Sequence, residues 1–105
     1  MFKVYRTNEF ENLMDKLLTR ENLKRIDKIE KEISEKGFTG KPLGYDFLRE
    51  KGINGKRAYF LVYEEFESVL MVSISDKKAQ QETIDKIKEY LPEFNRLIQE
   101  LSRST

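Results

Sequence analysis

The sequence predicts an α+β domain: a twisted, mainly antiparallel four-stranded sheet with an N-terminal αα-hairpin and a long C-terminal helix. Three observations carry this. Asn54-Gly55 separates two strand-like segments, and this dipeptide is the strongest two-residue hairpin signal because both turn positions need positive φ. Two short amphipathic helical stripes precede the hairpin, and a heptad-spaced apolar seam follows it.

Phe2-Lys3-Val4-Tyr5-Arg6 alternates in polarity and reads as a short strand at a sheet edge. Thr7 or Asn8 then caps a helix whose apolar residues Phe10, Leu13, Met14, Leu17 and Leu18 recur at helical spacing. After Thr19-Arg20, a second helix places Leu23, Ile26, Ile29 and Ile33 on one face, and Gly37 stops it. The two stripes are expected to pack on a sheet. Residues 36–44 read as loop, Tyr45 to Ile53 as the second strand and Lys56 to Glu64 as the third. An acidic turn at Glu64 to Glu67 leads to a fourth strand, Val69 to Ser75. The runs Tyr59-Phe60-Leu61-Val62 and Val69-Leu70-Met71-Val72 imply strands covered on both faces, by helices or by helices and a partner.

From Lys77 the chain turns helical, with Ser75 or Asp76 as cap. Ile84, Ile87, Leu91, Phe94, Ile98 and Leu101 form the seam, and Pro92 within it predicts a kink or a break. Two readings of the seam stand: it covers the domain's own sheet, or it contacts a second copy as a homodimer or another partner. No repeat or linker is visible, so residues 1–105 read as one domain.

Composition narrows the chemistry. Twenty Lys+Arg against nineteen Asp+Glu leave a formal charge of +1, so any electrostatic recognition rests on local patches. There is no Cys and no His, which removes disulfides, thiolate nucleophiles and the commonest general base and metal ligand. Carboxylate spacing offers no metal site, and no cofactor-binding motif is present. No apolar run approaches a membrane span and the chain opens directly into a strand, so a cytoplasmic protein is expected.

Basic residues gather at the first hairpin and after the last strand. A two-residue turn at Asn54-Gly55 sets Lys51 opposite Ala58 and Arg49 opposite Phe60. Arg49, Lys51, Phe60 and Val62 then share one face, and Arg57 lies on the other with Leu48, Tyr59 and Leu61. Two cations beside an aromatic ring suit phosphate binding and base stacking, or are solvated charges at a hairpin end. Lys77-Lys78 at a helix start would attract anions. Glu82 and Asp85 lie within reach of them in sequence.

The element order, with Gly40-Lys41-Pro42-Leu43, Arg49-Glu50-Lys51, Tyr59-Phe60-Leu61-Val62-Tyr63 and Val72-Ser73-Ile74-Ser75-Asp76-Lys77-Lys78, resembles the RelE/ParE toxin superfamily of type II toxin–antitoxin systems. The RelE-like resemblance implies an mRNA interferase acting on translation: a metal-independent, ribosome-dependent endoribonuclease. Such an enzyme activates the 2′-hydroxyl, stabilises the phosphorane with Arg or Lys, and protonates the leaving oxygen. It implies Arg49, Lys51 and Lys78 as catalytic cations and Arg57, Phe60 and Lys77 as RNA-binding support. It also implies an antitoxin partner and contact with ribosome and mRNA. Phe60 stands where the family's strand arginine is usual, and Ile84 near its C-terminal tyrosine or histidine. Two alternatives remain open at this point: a ParE-like gyrase poison, and a non-catalytic antitoxin-binding module.

Overall fold

The computed structural model describes residues 1–103. In chain order its elements are β1 (Lys3–Arg6), α1 (Asn8–Leu17), α2 (Arg20–Lys36), β2 (Lys41–Pro42) and β3 (Leu48–Ile53), followed by β4 (Lys56–Tyr63), β5 (Ser68–Asp76), α3 (Gln80–Glu89) and α4 (Leu91–Arg103). The strands form one sheet in the order β1-β5-β4-β3-β2, with β1 parallel to β5 and every other pairing antiparallel.

Two threonines start the helical hairpin. The Thr7 hydroxyl accepts from the Phe10 N–H at 3.0 Å and the Thr19 hydroxyl from the Asn22 N–H at 3.3 Å, each satisfying a donor the helix itself leaves free. The apolar stripes of α1 and α2 bury Phe10, Met14, Ile26 and Ile33 against Ala58, Phe60, Val62, Val69 and Met71 on one sheet face. On the opposite face Leu48, Tyr59, Leu61, Leu70 and Val72 pack under Ile84, Ile87 and Ile98. The near-continuous apolar runs of β4 and β5 thus have a simple cause: helices of the same chain cover both faces.

Asn54 and Gly55 both adopt positive φ (44° and 84°), and the β3–β4 register pairs Arg49 with Phe60 and Lys51 with Ala58, as the turn requires. The sheet has five strands rather than four. Lys41–Pro42 adds a short edge strand beside Glu50 and Arg49, where the missing proline N–H faces outward and costs no ladder bond. Tyr45 to Phe47 form a turn, so β3 begins at Leu48 instead of Tyr45.

A β-bulge interrupts β5. Phe60 pairs with Met71 but Tyr59 with Ser73, leaving Val72 as the extra residue. The strand's phase shifts there: Ile74 turns into the helical-hairpin core, while Ser75 meets Tyr59 on the opposite face.

The C-terminal seam packs on the domain's own sheet: Ile84, Ile87 and Ile98 are buried, and the partly buried Leu91, Phe94 and Leu101 pack beside them. The helix is interrupted at Tyr90. Pro92 is the second residue of α4, in the first turn, where its missing N–H has no intrahelical partner to lose. No described helix is long and apolar enough to cross a membrane.

Candidate anion-binding groove

The α3 side of the sheet carries an open groove of about 580 Å³ between the β2 segment and α3. Lys41, Lys77, Lys78 and Lys88 line it with Pro42, Leu43, Gly44, Gln80, Gln81 and Ile84. Lys77 and Lys78 leave the end of β5 exposed to solvent. The Asp76 carboxylate accepts from the Ala79 N–H at 2.9 Å, holding the tight turn that carries both lysines before α3 begins at Gln80. α3 itself contributes Gln81, Ile84 and Lys88, spaced three and four apart on one helix face. Among the described residues, none of the four lysines lies within salt-bridge distance of a carboxylate. Glu82 faces the other side of α3, and Asp85 accepts from Gln81 at 2.9 Å.

Behind the groove lies a polar layer. Gln80 donates to the buried Glu50 carboxylate at 3.0 Å, and Arg57 Nε stands 3.9 Å from its other oxygen, an ion pair too long for a hydrogen bond. Arg57 Nε is buried and has no hydrogen-bond partner among the described residues. The guanidinium lies across Gly52: a Cβ there would stand 2.7 Å from Nη1, so only glycine permits this approach. Next to it the Tyr59 hydroxyl pairs with Ser75 Oγ at 2.8 Å, and Ser75 Oγ donates to the Asp76 carbonyl. Burial raises the Tyr59 pKa, against the opposing pull of the Ser75 hydrogen bond. This pair fixes the end of β5, from which Lys77 and Lys78 project.

The structure divides the six residues singled out in the sequence. Lys77 and Lys78 stand together in the groove, and Arg57 is on the same side of the sheet. Arg49, Lys51 and Phe60 share a face, as the register requires, but it is the face covered by the helical hairpin. Phe60 is fully buried, which corrects its reading as a stacking surface: α1 and α2 cover the ring. Lys51 is paired with Glu32 of α2, and that contact, with the Thr39 hydroxyl, lowers the Glu32 pKa. Arg49 is 9% exposed and clamps the β2 loop. Its Nε donates to the Thr39 carbonyl (2.8 Å), Nη2 to that of Gly40 (3.2 Å), and Nη1 to the Asp46 carbonyl (2.9 Å) and carboxylate (3.0 Å).

No protein-family model and no curated protein matches the chain. Solved structures do. The isolated E. coli RelE toxin superimposes with a TM-score of 0.64 at 15% identity, over 83% of this chain and 99% of that one. The chain has the RelE fold. A second E. coli RelE structure, an arginine-to-alanine double mutant in complex with an antitoxin RelBc peptide, gives the same score and identity over 78% of this chain and 93% of RelE. The resemblance seen in the short sequence motifs therefore holds at the level of fold, and this RelE-like scaffold carries the lysine-lined groove between β2 and α3.

Sequence reasoning missed Lys88, Gln80 and Glu50 and did not separate Lys41 from the other loop cations. A signal existed for Lys88: with Gln81 and Ile84 it completes a helical face continuing from Lys77-Lys78. Glu50 and Gln80 gave none, because their contact spans thirty residues of sequence.

Proposed function

We propose that this chain is the toxin of a type II toxin–antitoxin pair and acts in the cytoplasm on translation as an mRNA interferase. The observation that supports this reading is the coincidence of the RelE fold with a groove between β2 and α3 whose four lysines make no ion pair among the described residues. Fixed cations suit the chemistry. Attack of a ribose 2′-hydroxyl on the adjacent phosphorus forms one P–O bond and breaks the bond to the 5′-oxygen. The hydroxyl gives its proton to solvent, the departing 5′-oxygen takes one from solvent, and negative charge builds on the non-bridging oxygens between the two. Ammonium groups held at that point stabilise the developing charge more than the ground state. Lys77 and Lys78 take this role, with Lys41 and Lys88 along the phosphate path and Arg57 in support. Arg49 and Lys51 contribute indirectly, by holding the β2 loop and its hairpin-side packing. The partner is an antitoxin protein, a reading supported by the antitoxin peptide bound to RelE.

The test is cleavage of mRNA on programmed ribosomes by the purified chain. Wild type is expected to cut, and Lys77→Ala with Lys78→Ala to cut at least a hundredfold more slowly, the loss typical of removing a group that stabilises transition-state charge. Both variant sites are exposed, so the fold should be unchanged, as circular dichroism will verify. Absence of cleavage together with inhibition of gyrase supercoiling would sink the proposal and move the chain to ParE-type activity.

A further inference from the structure

We infer that Tyr45 is a base-stacking platform at the end of the lysine groove, making the groove a site for single-stranded nucleic acid rather than for phosphate alone. This rests on the reading of the groove as an RNA path and adds a subsite to it. Tyr45, Met1 and Tyr90 are the large hydrophobic residues the structure leaves exposed among those described, Tyr45 at 45%. Its ring is stacked on that of Phe47, with centroids 4.9 Å apart and planes 19° from parallel. The turn beneath is fixed, since Leu48 N donates to the Tyr45 carbonyl and Arg49 Nη1 holds both oxygens offered by Asp46. The ring is therefore presented in one orientation before any ligand arrives, which limits the ordering cost of binding.

Position ties the ring to the groove. Lys88 Nζ lies 5.5 Å from the Tyr45 centroid, and a Cβ on Gly44 would stand 3.2 Å from the same nitrogen, so one ammonium touches both the groove wall and the aromatic face. Lys88 makes no ion pair among the described residues. An arriving phosphate draws the ammonium toward itself and leaves the ring to the base attached to that phosphate. Alternating cation and aromatic contacts of this kind hold single strands without regard to sequence, because every base offers a π-face. A duplex keeps its bases stacked on one another and cannot use the ring. Tyr90 is equally exposed but stands in a cleft where Glu9, Glu82 and Glu93 outnumber Lys86, itself ion-paired with Glu9, so the cleft's net negative charge disfavours a polyanion. Charge selects Tyr45.

The chain has no tryptophan, so Tyr45→Trp supplies a single fluorescent reporter. Its emission is expected to be quenched by a single-stranded oligoribonucleotide, while an abasic oligomer of equal length and inorganic polyphosphate bind without quenching it. Tyr45→Ala should weaken oligoribonucleotide binding about 5- to 150-fold, the range for loss of one stacked base, and leave polyphosphate binding unchanged; Tyr45→Phe should bind as wild type. Equal quenching by the abasic oligomer, equal quenching by poly-glutamate, or wild-type RNA affinity of Tyr45→Ala would each overturn the inference while the phosphate groove stands. If wild-type protein binds neither RNA nor polyphosphate, the groove reading fails and the inference with it.

Discussion

Replacing Arg49 with alanine distinguishes a phosphate-contacting cation from a clamp on the β2 loop. In the structure the guanidinium donates to the carbonyls of Thr39, Gly40 and Asp46 and to the Asp46 carboxylate, and it lies 5.8 Å from the centroid of the Phe38 ring. A hydrogen bond to a charged group contributes about 1.5–3 kcal/mol, but three such bonds do not add fully, because the freed carbonyls regain water and the guanidinium's own desolvation is relieved. The Asp46 side chain is 84% exposed, so its ion pair adds little. The net cost is about 2–4 kcal/mol, which for a chain of this size lowers Tm by roughly 10–20 °C. Thermal unfolding followed by circular dichroism measures it, and hydrogen exchange should show the amides between Thr39 and Asp46 opening first. Arg49→Lys should recover little, since a single ammonium cannot reach three carbonyls as the planar fork does. A variant that keeps the wild-type Tm within about 2 °C and yet loses RNA cleavage would refute the clamp and restore Arg49 as a phosphate ligand.

Gly52→Ala should be close to neutral in the wild-type background but stabilising by about 0.5–1 kcal/mol in an Arg57→Ala background, because alanine suits a strand better than glycine once the guanidinium no longer lies across the site. A double-mutant cycle by urea denaturation checks this, and additivity of the two changes would refute the packing. Burial holds the Tyr63 phenol above its ordinary value of 10.0, so the folded state keeps a proton that the unfolded chain releases. That contribution is complete below the ordinary value and is lost as the pH rises through the folded one, so the urea midpoint should fall above pH 10. Tyr63→Phe should flatten the fall, leaving the smaller slope from Tyr59, whose pKa burial also raises.

Much of this architecture is written locally. Asn54-Gly55 sets the β3–β4 register to the residue, and the stripes of α1 and α2 and the C-terminal seam each mark one buried face. Parity correctly grouped Arg49 and Lys51 with Phe60 and set Arg57 apart. Which face the helical hairpin covers was not legible, because Phe60-Val62 and Tyr59-Leu61 are equally apolar and either set satisfies a helical stripe. That one undetermined choice decides which cations are engaged inside the fold and which meet solvent. The β2 strand was hidden by its length of two residues and its proline. The bulge at Val72 was hidden too, since an extra residue leaves no mark in composition. Its trace is the change of phase between Val69-Met71 and Ile74.

The bulge also bears on why the groove is basic in a protein of nearly zero net charge. It brings Ser75 onto the α3 side, where its hydroxyl ties Tyr59 to the Asp76 carbonyl; Asp76 in turn caps the turn that projects Lys77 and Lys78. α3 then divides that side of the molecule, with Gln81, Ile84 and Lys88 toward the groove and Glu82, Thr83 and Lys86 toward a cleft shared with Glu9 and Glu93. At physiological ionic strength charges are screened beyond about 8 Å, so a net charge of +1 steers nothing at long range. Four ammonium groups in one groove, with the acidic cleft behind the helix, act over that shorter distance and give an approaching polyanion a single favourable side. Reversing the charge of Glu82 and Glu93 to lysine should therefore raise RNA affinity by adding non-specific attraction while blurring the dependence on Tyr45. If the Tyr45→Ala loss stays unchanged in that background, the orientation comes from the groove's shape and stacking rather than from the charge division across α3.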